Sequence, residues 1–241
     1  MVNSTSVTRG DFIIAPYLKR SNSIGFFQVL TTFIPSAALW IFLQKISESQ
    51  ISLLLRLIVI FPTLLLLVLF SSRAFSLMHD CGHGSLFRSQ RFNRLFGFVL
   101  GVVNAVPQYY WALDHAYHHK HNGNWEVYRG PIDVITLNDY KTLSPINKEL
   151  YKLSRHWIML FPGGFYYLII KPRLTLILGL LDYLRGFLVE IYRTITLQKS
   201  DGITSLYKDI SSYKSSYWSS LAEFIDLVLN NIAVISSWYF M

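Results

Sequence analysis

Long apolar runs alternate with short polar segments in the first third of the chain. Almost every residue from Ile24 to Leu43 is apolar or small, and a second apolar run extends from Ile51 to about Phe70. Each run holds the roughly twenty residues that cross a bilayer as a helix. Because the polar connector from Gln44 to Gln50 is short, we expect the two helices to form an antiparallel transmembrane pair.

The helical pattern continues beyond the second run. It extends from Ser71 to Phe87, which predicts a stalk outside the bilayer that ends at Gly82 and Gly84. The next apolar stretch, residues 92–111, is short, dotted with glycine and interrupted by Pro107, with an aromatic cluster behind it. This composition favours an interfacial or re-entrant segment over a true crossing.

The second half of the chain mixes apolar and amphipathic segments. Residues 157–170 are apolar but too short to span, and we expect Pro162-Gly163-Gly164 to break them. Residues 174–197 predict a surface or interfacial helix, and residues 198–218 a loop rich in Ser, Lys and Tyr. Residues 219–241 are long enough for a third crossing, although four polar side chains interrupt them: Glu223, Asp226, Asn230 and Asn231.

Composition supports a lipid environment. The 241 residues are 52% hydrophobic, 16% aromatic and only 15% charged, whereas a soluble domain carries about a quarter charged residues. The formal net charge of +8 indicates an anionic partner. Since the basic residues are scattered among apolar runs, a membrane face is favoured over nucleic acid.

Four arginines follow the second run, at positions 73, 88, 91 and 94, against one lysine in the connector. This asymmetry predicts a cytoplasmic N-terminus and cytoplasmic histidines.

Six of the seven histidines form two clusters. His79 and His83 are four residues apart, so on a helix they share one face and can hold one metal ion. His115, His118 and His119 offer the same spacings in a second segment. A zinc protease motif needs a glutamate after its first histidine, and here Asp80 stands in that position. Haem would favour histidines inside the bilayer, so the clusters are more typical of iron and O₂ chemistry.

Other polar residues near the clusters have supporting or structural roles in this interpretation. Asp80 and Asp114 each neighbour a clustered histidine and are expected to orient its ring by accepting its second N–H. Cys81 is the single cysteine; a thiolate ligand is one reading of it, and a small space-filling residue is the favoured one. His121 is expected to face water, and His156 to be structural.

The two clusters resemble the first two histidine boxes of membrane fatty acid desaturases, especially the acyl-lipid desaturases of bacteria and plastids. The residues that carry this resemblance are HDCGH at 79–83 with the following GSLF, HAYHH at 115–119, Asn93, Gly97, Gly101, Pro107, Trp111, Gly123-Asn124, Arg129-Gly130, Ile132 to Leu137, Arg155-His156 and Phe161-Pro162-Gly163. The similar stretch extends from about Met78 to Arg173.

The resemblance implies an all-α fold, in which polytopic membrane helices carry a cytosolic helical cap with the histidine clusters. It also implies a di-iron centre that uses O₂, an acyl-lipid or other acyl-chain substrate, and electrons from ferredoxin or a b-type cytochrome. The ligands it assigns are His79, His83, His115, His118 and His119. We divide the chain into a cytosolic lead (1–23), a transmembrane pair with its stalk (24–78), a cytosolic or interfacial histidine region (79–218) and a third transmembrane helix (219–241).

One departure from the family concerns the third histidine box, H-x-x-H-H. No histidine follows His156 in this chain. The expectation is therefore a truncated or split desaturase, with a second chain supplying the missing box, or a silent relative that binds metal poorly. A related di-iron membrane hydroxylase or ketolase is the alternative within the same chemistry.

Overall fold

Helices form all the regular structure that the computed structural model describes, which is residues 19–124, 126–127, 134–196 and 216–240. No strand occurs within those ranges. The helices are α1 (Asn22–Glu48), α2 (Leu53–Gly82), α3 (Gln90–Val103), α4 (Gln108–Lys120), α5 (Leu137–Thr142), α6 (Pro145–Leu153), α7 (Leu160–Phe165), α8 (Lys171–Thr196) and α9 (Leu221–Phe240). A 3₁₀ turn (Trp157–Met159) precedes α7, and a π-helical turn (Tyr166–Ile170) follows it. The all-helical fold class is confirmed.

The chain divides into two compact units, Met1–Leu95 and Phe96–Met241. The first contains α1, α2 and the start of α3, and the second contains the remaining helices. The division into four segments drawn from the sequence remains a prediction. The expected loop at 198–215 and the family-like residues 129–133 lie outside the described residues.

Three of the described helices are long and apolar enough to cross a membrane: α1, α2 and residues Leu221–Tyr239 of α9. They coincide with the three apolar runs of the sequence. The predicted connector is wrong in extent, however, because α1 continues through Gln44 and ends at Glu48. Its polar residues have good intrinsic helix propensity, and the chain leaves the helix only at Ser49, four residues before α2 begins.

Helix α1 and helix α2 are tied together where α1 contains a proline. Pro35 has no N–H to donate to the carbonyl of Thr31 four residues earlier. Arg73 of α2 donates to that carbonyl at 3.5 Å and to the Thr31 hydroxyl at 3.0 Å. A charged side chain of the second helix thus contributes donors at the point where the first helix lacks one.

Helix α2 stops immediately after the first histidine pair. The backbone N–H of His83 still bonds to the carbonyl of His79, and Gly84 then adopts a left-handed conformation with φ +63°. Its N–H bonds to the carbonyl of Cys81 at 2.9 Å, and that of Ser85 to the carbonyl of Asp80 at 2.9 Å. Gly82 and Gly84 therefore mark the helix end, as predicted.

We expect Gly84→Ala to lower the free energy of unfolding by about 1–2 kcal/mol. An L-residue pays that cost in the left-handed region, and a Cβ there would lie 2.8 Å from the side-chain oxygen of Gln90. Thermal unfolding in detergent measures the effect. Gly163→Ala is the control, because Gly163 lies inside α7 and a Cβ would meet nothing within 4 Å. Equal melting temperatures for the two variants would contradict the conformational argument.

In the second unit, α3 meets α4 in a tight corner. A Cβ on Gly101 would lie 2.5 Å from the carbonyl oxygen of Val106, so only glycine fits there. Ala105 has φ +56°, an uncommon value for a residue with a side chain. Pro107 then precedes α4 without a side-chain hydrogen bond to its first turn. The corner sets the direction in which the histidine-bearing helix α4 starts.

The predicted break at Pro162-Gly163-Gly164 is wrong. All three residues lie within α7, and the helical backbone continues through the π turn into α8. Pro162 occupies the first turn of α7, where its missing N–H would have no helical partner. The two glycines weaken a helix but do not forbid it. The predicted amphipathic helix at 174–197 corresponds to the longer α8.

Candidate metal centre

The first histidine pair lies on the open face of α2. The buried residues of the stalk form a stripe at helical spacing: Ala74, Leu77, Met78 and Cys81. At 100° per residue, His79 and His83 fall on the opposite side of the helix. His79 is half-buried and His83 exposed, and their Nε2 atoms are 3.3 Å apart. An ion in solution can reach this pair.

The second histidine pair lies on α4. His115 and His119 have their Nε2 atoms 2.9 Å apart. Trp111, one turn earlier on the same face, stacks on the His115 ring with centroids 4.5 Å apart and planes at 14°. The indole fills one side of that imidazole, so the ring is held by packing as well as by its own helix.

Both pairs fit a metal ion by their geometry. Metal–imidazole bonds of about 2.1 Å put two neighbouring ligand atoms about 3.0–3.4 Å apart in octahedral or tetrahedral sites. The Nε2 separations of 3.3 Å and 2.9 Å are close to this range. Within each pair both rings approach each other through Nε2, and neutral imidazole nitrogens are common ligands for iron and zinc.

Asp80 lies beside the first pair, and its role as an orienting carboxylate stays a prediction. Its Oδ1 lies 3.4 Å from Nδ1 of His79. A proton on Nδ1 shared with this carboxylate makes Nε2 of His79, the atom that faces His83, the acceptor nitrogen of the ring. Cys81 is buried among the stalk's apolar residues, which matches its favoured reading as a space-filling residue.

The remaining predicted residues of the second cluster surround its pair. His118 has its ring centroid 6.0 Å from that of His115 and 5.7 Å from that of His119. Asp114 is exposed, and its negative charge contributes to raising the pKa of Tyr167 and the pKa of Tyr110. The roles of His118 as a ligand and of Asp114 as an orienting carboxylate stay predictions.

The two histidines outside the proposed ligand set have other contacts. His121 follows α4 and packs against Tyr117, with ring centroids 4.3 Å apart. His156 precedes the 3₁₀ turn, and its Nδ1 accepts a hydrogen bond from the N–H of Ile158 at 3.4 Å. The structural role predicted for His156 is therefore supported by a cap.

Sequence reasoning missed the surroundings of the second pair. The Trp111 indole donates a hydrogen bond to the hydroxyl of Tyr167 in the π-helical turn. Burial raises the pKa of Tyr167, the negative charge of Asp114 raises it further, and the indole hydrogen bond opposes both. Trp111 stands in the part of the chain that resembles the family, and its four-residue spacing from His115 was the signal that could have indicated the stacking.

Comparison with known proteins identifies the family. The sequence model of the fatty acid desaturase family matches residues 56–199, more than half of the chain. A fatty acid desaturase of Bacillus subtilis is 35% identical over 166 residues, which cover 66% of this chain and 44% of that protein. The omega-3 fatty acid desaturase of the endoplasmic reticulum of Nicotiana tabacum is 44% identical over 53 residues, or 22% of this chain and 14% of the relative.

A third relative is the temperature-sensitive sn-2 acyl-lipid omega-3 desaturase (ferredoxin) of Arabidopsis thaliana chloroplasts. It is 40% identical over 52 residues, which cover 22% of this chain and 12% of the relative. The chain thus spans less than half the length of these proteins. No solved structure matches it. The apolar helices indicate membrane association, and the matched region contains both histidine pairs. The chain belongs to the fatty acid desaturase family.

Proposed function

We propose that this chain supplies the first two histidine boxes of an O₂-dependent di-iron desaturase that acts on acyl lipids. The single observation that supports this most directly is the pairing of Nε2 atoms, at 3.3 Å on α2 and 2.9 Å on α4, in a chain that matches the desaturase family over residues 56–199. The proposed iron ligands are His79, His83, His115, His118 and His119.

When bound, iron would supply the activation of O₂ that removes two hydrogens from an acyl chain. The chain's own residues orient the ligands. Asp80 would keep the proton of His79 on Nδ1, so that Nε2 would be the nitrogen available to hold iron. Trp111 fixes the plane of the His115 ring by stacking on it, and Asp114 is proposed to orient a histidine of the second cluster.

The proposed surroundings follow from the family and the charge distribution. The chain would be multi-pass, with its histidines on the cytoplasmic side, because the arginines after α2 outnumber the basic residues of the connector. A segment carrying H-x-x-H-H, from this or a second chain, would complete the ligand set. The name of the Arabidopsis relative includes ferredoxin and acyl-lipid, which supports an electron donor and substrate of those classes here.

The test is expression in a host that lacks polyunsaturated lipids. We expect the chain alone to insert into the membrane and to bind iron, and new double bonds to form only when a second segment that carries H-x-x-H-H is co-expressed. Iron is measured in detergent-purified protein and double bonds by gas chromatography with mass spectrometry. Hydroxylated products would instead support the hydroxylase alternative.

Two results would contradict the proposal. Membrane-inserted protein without iron would remove its chemical basis. Desaturation by the chain alone would show that its own histidines suffice, against the proposed need for a third box. His156→Ala is the matched control in every arm, because His156 belongs to neither pair and caps a 3₁₀ turn.

A further inference from the structure

Helix α9 carries a buried polar stripe that the metal site described above does not use. Its four members lie at helical spacing and are each at least nine-tenths buried: Glu223, Asp226, Asn230 and Asn231. Polar side chains in a helix apolar enough to span a membrane are costly without partners. The hydrogen-bond partners of these four side chains therefore indicate their role in the fold.

Asp226 caps the helix that carries the second histidine pair. Its Oδ2 accepts hydrogen bonds from the backbone N–H groups of Tyr109 at 2.9 Å and Tyr110 at 3.1 Å. These are orphan donors in the first turn of α4, and Pro107 before them supplies no side-chain cap. A carboxylate at a helix N-terminus also interacts favourably with the helix dipole.

Two further side chains hold the corner that leads into α4. Asn230 donates to the carbonyl of Val106 at 3.0 Å, and Arg173 of α8 donates to the carbonyl of Ala105 at 2.6 Å. Ala105 is the residue with the unusual φ of +56°. The left-handed turn and the first turn of α4 are thus both fixed by side chains from later in the chain.

The position of the histidines depends on how α4 starts. His119 is nine residues beyond Tyr110, or about 13 Å along the helix at 1.5 Å per residue. A tilt of about 10° at the capped end would move His119 by about 2 Å over that length. Such a shift is comparable with a whole metal–ligand bond.

We propose that Asp226 is a positioning residue for the second histidine pair, acting through the first turn of α4, and that Asn230 supports it. This inference rests on the proposed metal-binding role of His115 and His119. Glu223 lies one turn earlier on α9 but bonds to Ser219 and Ser220 at the start of its own helix. It therefore serves as a matched buried carboxylate that does not cap α4.

The experiment compares four full-length proteins in detergent: wild type, Asp226→Ala, Asp226→Asn and Glu223→Ala. Co²⁺ is the probe, and its visible absorption bands report both affinity and ligand geometry. Hydrogen exchange at residues 108–121 reports on α4 in the metal-free protein. We expect Asp226→Ala to weaken Co²⁺ binding about tenfold or more, in line with other groups that orient ligands, and to speed exchange in the first turn of α4.

Asp226→Asn keeps an oxygen that can accept both N–H bonds, so binding and exchange should return to within about threefold of wild type. Glu223→Ala should change Co²⁺ affinity less than about threefold. Unchanged hydrogen exchange at the first turn of α4 in Asp226→Ala would contradict the proposal that Asp226 caps this helix. Faster exchange with an unchanged Co²⁺ affinity and spectrum would contradict its role in positioning the histidines. A wild-type protein that binds no Co²⁺ would contradict the proposed function itself, which separates that failure from the failure of this inference.

Discussion

His119→Ala is expected to weaken metal binding by the second histidine cluster at least about 100-fold. The variant removes one of two Nε2 atoms that lie 2.9 Å apart and leaves only His115 and His118 of the ligands proposed for this cluster. Since even residues that only orient ligands change metal affinity by about 10–100-fold, loss of a ligand should cost at least about 100-fold. Co²⁺ titration of detergent-purified protein, followed by its visible spectrum, measures this change.

The design of that experiment separates metal loss from misfolding. His156→Ala and His121→Ala remove the same side chain from positions outside the pairs and should bind Co²⁺ as the wild type does. His119 is exposed at the end of α4, so its replacement should leave the helical circular dichroism and the thermal midpoint unchanged. Wild-type affinity in His119→Ala would remove this residue from the proposed ligand set.

Asn93→Ala is expected to destabilise the first unit by about 2–6 kcal/mol. Asn93 is 2% exposed, and its amide oxygen accepts from the N–H of Phe87 at 2.9 Å while its amide nitrogen donates to the carbonyl of Phe87 at 2.9 Å. Without it, two buried backbone groups lose their partners at about 1–3 kcal/mol each. Phe87 itself is fully buried and packs edge-on against Phe26 of α1.

Thermal unfolding in detergent, with parallel denaturant titration, tests this expectation. Asn104→Ala is the matched control, because Asn104 directly follows α3, its amide donates to the carbonyl of Leu100 in the last turn of that helix, and it is only partly buried. Its replacement should cost about 1 kcal/mol or less. An equal loss of unfolding free energy in the two variants would contradict the expectation that the buried hydrogen bonds to Phe87 stabilise the protein more than the bond of Asn104 does.

The membrane helices could be predicted from the sequence because each is encoded by a continuous local pattern. Twenty apolar residues form a helix in lipid regardless of what they pack against, since their backbone groups have no other partners there. Helix ends are decided by smaller energies. Four of the five residues 44–48 are polar, yet the segment stays in α1. Pro162-Gly163-Gly164 likewise stay in α7, because propensity differences of about 1 kcal/mol are easily outweighed.

The histidine pairs were also predictable, because four-residue spacing on a helix places side chains together without help from the rest of the fold. The side chains that contact these histidines or the helix that carries them were only partly predictable. Asp80 neighbours its histidine in sequence, and its contact with His79 was expected. The polar residues of α9 were visible as interruptions of an apolar run. Their partners on α4 were not, since 117 residues separate Tyr109 from Asp226.

That separation also sets an order of events on the ribosome. A chain grows by about 5–20 residues per second, so the 117 residues between Tyr109 and its acceptor take about 6–23 s to synthesise. During this interval the start of α4 has emerged without its cap. Metal captured by His115 and His119 before α9 exists would therefore bind on an unanchored helix, so we expect productive loading of this pair to be a late step in biogenesis.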